Sequence, residues 1–154
     1  MTNNDIFRRL RYIFDFNDSK MIELFRLAEY QTDRAEVSDW LKKEDDEAFQ
    51  ELEDESLAIF LNGLINAKRG KREGKQPKPE KILDNNIILR KLKIALNLRE
   101  EDMLKIFELA KVKIGKHELS AFFRKPTQRQ YRECKDQYLR NFLKGLQVKY
   151  RKGK

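Results

Sequence analysis

The chain has 154 residues, 40% hydrophobic and 39% charged, with 34 Lys/Arg against 26 Asp/Glu and a formal net charge of +8. That length holds one ordinary domain or two very small ones, and so high a charge load suits small helical units with much exposed surface. The lone Cys134 excludes an intramolecular disulfide, the lack of a CxxC or Cys/His cluster speaks against structural zinc, and no apolar run is long enough to span a bilayer.

Helical spacing begins at the N-terminus. Asn4 or Asp5 is expected to cap the stretch IFRRLRYIFDF, because short polar side chains satisfy the free N–H groups of a first turn. Ile6, Leu10, Ile13 and Phe14 recur on one face and predict its buried stripe, with Arg8, Arg11 and Asp15 on the wet side. Asn17-Asp18 breaks this helix and recaps a second, whose stripe is Met21, Ile22, Phe25 and Ala28. Thr32 or Asp33 caps a third, with Glu36 in the first turn, where negative charge suits the helix dipole, and Val37, Trp40 and Leu41 inside. Asp54 opens a fourth, with Leu57, Phe60, Leu61 and Leu64 inward. Prolines, glycines and lysines then make residues 71–84 a linker.

After the linker the pattern returns. Residues 3–30 lie over 85–112 without a gap: Asn3, Asn4, Arg8, Leu10, Met21, Phe25 and Leu27 meet Asn85, Asn86, Arg90, Leu92, Met103, Phe107 and Leu109. The register holds onward, so that FLNGL at 60–64 meets FLKGL at 142–146. So long a gapless match indicates internal duplication. Leu119, Phe122 and Phe123 fill the third helix of the second copy. The expected fold is all-α: two tandem copies of a four-helix unit, 1–70 and 85–154, around the linker 71–84. A unit of this size is marginal alone, so the copies are expected to pack about a pseudo-twofold axis into one compact domain. Gly63 and Gly145 sit inside the fourth helices, where glycine costs about 1 kcal/mol against alanine, and are read as points where another helix approaches.

The copies differ in charge. Residues 1–72 carry 12 Lys/Arg and 16 Asp/Glu, whereas residues 85–154 carry 19 and 7. Between the third and fourth helices, Glu44, Asp45, Asp46 and Glu47 become Pro126, Thr127, Gln128 and Arg129; Gln50 becomes Arg132 and Glu53 becomes Lys135. Arg90, Lys91, Lys93, Lys116, Arg124, Lys125, Arg129, Arg132, Arg140 and Lys144 are therefore the candidate phosphate-binding residues of a nucleic-acid-binding protein, RNA or DNA. Tyr131, Tyr138 or Tyr150 can stack on unpaired bases where exposed. The KYRKGK end is expected to be a free basic tail. The alternative is a protein-interaction adaptor, or self-association driven by the opposite charges. The second and third helices also have the length and spacing of a helix-turn-helix, a weak signal that any two short packed helices can imitate.

An enzyme is not expected. His117 stands alone near the start of a helix, and Cys134 matches Leu52 and reads as a small buried hydrophobe. No phosphate-cradling glycine loop is present, and the acidic clusters at 44–47 and 51–55 lack the pattern of a calcium loop, so no cofactor or metal is expected. The start MTNNDIFRRL has no apolar leader core, which points to a cytoplasmic address.

The pieces FLNGLI-x-x-KRGK, NNIILRKLKIAL and YRECKDQ-x-LRNFLKGL resemble the bacterial YehS-like family, classed as domain of unknown function 1456. The resemblance covers essentially the whole chain. It implies a small bacterial cytosolic protein with two copies of one helical unit, and it carries no activity, substrate or catalytic residue to transfer.

Overall fold

A computed structural model of the chain describes residues 1–71 and 73–151. Among them are eight α-helices and no strands: α1 (Asn3–Phe14), α2 (Asp18–Leu27), α3 (Arg34–Leu41), α4 (Asp54–Arg69), α5 (Asn85–Ala95), α6 (Glu100–Leu109), α7 (Lys116–Ala121) and α8 (Asp136–Tyr150). Two compact units result, Met1–Leu83 and Asp84–Lys154, each with a core of its own.

The first unit is capped as its polar residues dictate, with one shift. Thr2, not Asn4 or Asp5, is the N-cap of α1. Its hydroxyl accepts the Asp5 amide at 3.1 Å, and the Asp5 carboxylate accepts the Thr2 amide at 3.1 Å. Asn4 lies within the helix and is buried, its side chain bonded to the backbone of Trp40, Gln50 and Leu52. Asn17 caps α2 by accepting the Lys20 amide at 2.8 Å, and Asp33 caps α3 through the Glu36 amide at 2.8 Å. Both α1 and α2 end in left-handed residues, Asp15 and Glu29. The chain closes there with paired bonds, Phe16 N–H to Arg11 O and Tyr30 N–H to Phe25 O, each at 3.0 Å. In the second unit Asn97 and Lys111 repeat these endings at the matching positions.

Phe7 is the hub of the first core, fully buried beside the expected Ile6, Leu10 and Ile13. Its ring meets Phe60 edge-on at 4.8 Å and Trp40 at 6.2 Å, while Phe25 stands 5.4 Å from both Phe60 and Trp40. Five expected core positions are corrected. Phe14 is half-buried and stacks on Phe16 at 5.5 Å; Leu24 takes the core place on α2, while Ile22, Ala28, Leu41 and, in the second unit, Phe123 are half-buried. A stripe read from spacing alone is ambiguous by one residue on a short helix, and the partner helices choose. In the second core Phe107 and Phe142 pack at 5.5 Å.

Both glycines of the fourth helices are contact points. A Cβ on Gly63 would stand 1.7 Å from the Leu24 carbonyl oxygen, and one on Gly145 would stand 2.0 Å from that of Ile106. Only a residue without a side chain lets α4 cross α2, and α8 cross α6, at this separation. The linker is laid along the first unit. Asn66 Nδ2 donates to Leu27 O at 2.9 Å and to Gln76 Oε1 at 3.3 Å, Pro77 and Pro79 border a recess with Ala28 and Ile59, and the Leu83 amide donates to Asp54 Oδ2 at 2.8 Å. Arg72, and residues 152–154 of the expected basic tail, lie outside the described residues.

Candidate functional site

One device builds the same loop in both units. The first two residues of α1 and of α5 are asparagines. Asn86 is 2% exposed; its Nδ2 donates to Phe122 O at 3.0 Å and Arg132 O at 2.8 Å, and its Oδ1 accepts the Cys134 amide at 2.9 Å. Asn4 makes the matching bonds to Trp40 O, Gln50 O and the Leu52 amide, at 2.9, 2.9 and 3.0 Å. Asn85 Nδ2 donates to Cys134 O and to Asp136 Oδ1, as Asn3 does to Leu52 O and Asp54 Oδ1. The Asn85 amide holds the Asp136 carboxyl below the usual carboxylate range. An irregular segment has backbone groups that no helix satisfies, and these amides satisfy them. The turns agree as well: Gln50 N–H to Asp39 O and Arg132 N–H to Ala121 O are both 3.2 Å.

On that shared frame the side chains diverge. In the second unit the loop, α7 and the start of α8 border an open cleft of about 960 Å³. Arg124, Arg129, Arg132 and Lys135 line it, with His117 at one side. Among the described residues none of these four cations takes part in an ion pair. The aromatic part of the lining is Phe122 and Tyr138, whose ring centroids are 5.2 Å apart. Glu118 and Glu133 are its carboxylates, and Tyr138 Oη donates to Glu118 Oε2 at 3.4 Å. The matching positions of the first unit hold Lys42, Glu47, Gln50, Glu53 and, for Tyr138, Ser56. There the one remaining cation is occupied: Lys42 Nζ meets Asp39 Oδ1 at 2.8 Å and Ser38 Oγ at 3.3 Å.

The cleft gathers Arg124, Arg129 and Arg132 from the ten expected residues. The others lie elsewhere on the same unit. Lys116 is exposed at the first position of α7, and Lys125 is exposed in the loop, where its amide donates to Gln128 Oε1 at 2.9 Å. Arg90, Lys91 and Lys93 are half-buried on α5, with Lys93 Nζ 5.6 Å from the centre of the Phe123 ring. Arg140 and Lys144 are exposed on α8. Lys135 and His117 were not among the expected residues. The exchange of Glu53 for Lys135 between copies marks the first in the sequence, and the place of His117 beside Lys116 at the start of the third helix of the second copy marks the second.

Burial first, then the charges of Asp84, Asp136 and Glu133, pushes the Cys134 thiol up to about 12, so it carries no nucleophile at neutral pH. The helix-turn-helix spacing does not become that motif. α7 has six residues, about 9 Å of helix, and residues 110–115 separate it from α6, a longer connection than the tight turn of that motif. Among the described residues no group of three or more His, Cys, Asp or Glu is placed to hold a metal ion, and no helix is long and apolar enough to cross a membrane.

A family model described as "Protein of unknown function (DUF1456)" matches the chain twice, at residues 3–70 and 85–152. The chain is similar to "Uncharacterized protein YehS" of Escherichia coli (strain K12), with 41% identity over 147 residues, 95% of this chain and 94% of that protein. No solved structure matches.

Proposed function

Since the chain belongs to the family described as protein of unknown function (DUF1456), whose description assigns no activity, we propose a function from its own residues: non-enzymatic binding of nucleic acid through the cleft of the second repeat. One observation carries this reading. On two loops of the same backbone frame, the fold demands asparagine, glycine and phenylalanine in both copies, yet the cleft positions change from Glu47, Gln50 and Glu53 to Arg129, Arg132 and Lys135. The change is not a requirement of folding, since the first unit folds without it. Unpaired cations in a concave site draw a polyanion and release its counterions.

Binding of labelled RNA and DNA oligonucleotides across a salt series tests the reading. Affinity at about 50 mM salt is expected to fall steeply as salt rises. Absence of binding at low salt, or binding indifferent to salt, overturns it. A second reading, an adaptor or self-associating protein, is favoured by the exposed acidic residues Glu44, Asp45, Asp46 and Glu47 of the first unit. Light scattering at low and high salt separates the two: mass that grows as salt falls, without nucleic acid, supports association.

A further inference from the structure

We propose that the cleft takes single-stranded nucleic acid, with one unpaired base laid on the Tyr138 ring and neighbouring phosphates on Arg124, Arg129 and Arg132. This rests on the polyanion reading of the same cleft and adds the class of strand and the place of the base.

The Tyr138 ring is a braced platform. Phe122, 3% exposed, packs against it at 5.2 Å, and its hydroxyl is held by Glu118, whose other oxygen accepts the Gly115 amide at 3.3 Å. The ring is half-buried and borders the cleft. A ring already fixed loses little entropy when a base stacks on it. The fold does not need an aromatic there: the first unit has Ser56 at this position, and its Trp40, the counterpart of Phe122, is turned into the core against Phe7 and Phe25.

The charges sort the two ends of a nucleotide. Glu118 beside the Tyr138 hydroxyl repels phosphate and leaves that end to a base. The arginines stand on the loop that Asn86 clamps, with Arg132 fixed at both its amide and its carbonyl. Glu133 also borders the cleft and lowers the net positive charge without cancelling four cations. A duplex keeps its base faces stacked inside and offers only edges, which a recessed ring cannot use, and six-residue α7 is too short to read a major groove from within a cleft. An unpaired strand presents both the face and the phosphates.

The test compares single strands of about 15 nucleotides with the blunt duplex of the same sequence, by fluorescence anisotropy with the full chain at one low salt concentration. Tyr138→Ser, Tyr138→Phe and Arg129→Glu are measured beside the parent, with thermal melts to show that each folds. Single strands are expected to bind about tenfold or more tightly than duplex; Tyr138→Ser removes about tenfold from single strands alone, and Tyr138→Phe retains the affinity. Duplex binding as tight as single-strand binding, or a folded Tyr138→Ser chain with full single-strand affinity, overturns the proposal. In either case, salt-dependent binding that Arg129→Glu weakens leaves the polyanion reading standing. No binding of either strand form overturns both.

Discussion

Asn86 and Cys134 are joined by one hydrogen bond, Cys134 N–H to Asn86 Oδ1 at 2.9 Å, across 48 positions of chain. With the two bonds that the same amide group donates to Phe122 O and Arg132 O, it fixes where the loop leaves α7 and where it reaches α8. Asn86→Ala therefore strands two buried backbone groups, Phe122 O and the Cys134 amide, and the part-buried Arg132 O. The expected cost is about 3 kcal/mol, read from urea denaturation, since each orphaned group costs about 1–3 kcal/mol.

Gly145→Ala forces a methyl group into the Ile106 carbonyl, and Gly63→Ala does the same at Leu24. Backbone cannot yield as a flexible side chain does, so each substitution is expected to cost at least about 2 kcal/mol. Trp40, the only tryptophan, lies in the first unit, so its fluorescence follows the Gly63→Ala loss directly. An unchanged midpoint for either variant contradicts the close helix crossing.

Lys111 points the other way. It ends α6 with φ at 61°, a conformation that costs an L-residue about 1–2 kcal/mol and glycine little. Lys111→Gly is expected to raise stability by about 0.5–1 kcal/mol, the reverse of the usual effect of introducing glycine. A lowered melting temperature would show that the side chain does something beyond ending the helix.

The thiol of Cys134 gives a pH dependence of definite sign. It ionises near 9.0 in its ordinary state and is pushed up to about 12 in the fold by burial and by neighbouring carboxylates. Between these values the unfolded chain has released a proton that the folded unit keeps. This contribution to stability is whole below pH 9.0 and is lost as the pH climbs toward about 12. The urea midpoint is expected to fall more steeply above pH 9.0 in the parent than in Cys134→Ala. The same burial predicts that iodoacetamide leaves the folded thiol unmodified at neutral pH and labels it once urea is added.

Arg129→Glu together with Lys135→Glu restores the charges that Glu47 and Glu53 carry on the matching loop of the first unit. Both sites are exposed, so stability is expected to change by no more than about 0.5 kcal/mol. If the cleft holds phosphates, the same pair lowers the salt slope of binding by about 2. A large stability loss would mean that the cations support the fold, which the first unit argues against.

The amino-acid order by itself determined the helices, their duplication, the glycine contact points and the opposite charge of the copies. These are legible because they rest on local periodicity or on likeness at a constant shift, such as Phe25 with Phe107 and Gly63 with Gly145. Tertiary structure decided the role of the Asn-Asn pairs. From the sequence, Asn4 is a helix cap, because caps are local; in the fold it bonds to residues 36, 46 and 48 positions away. The cleft needed the fold for the same reason. The 19 Lys/Arg of residues 85–154 are visible in one dimension, but which of them share a concavity depends on a loop held by a distant amide. That loop brings Arg124, Arg129, Arg132 and Lys135 around Tyr138, and it leaves Arg140 and Lys144 on the open face of α8.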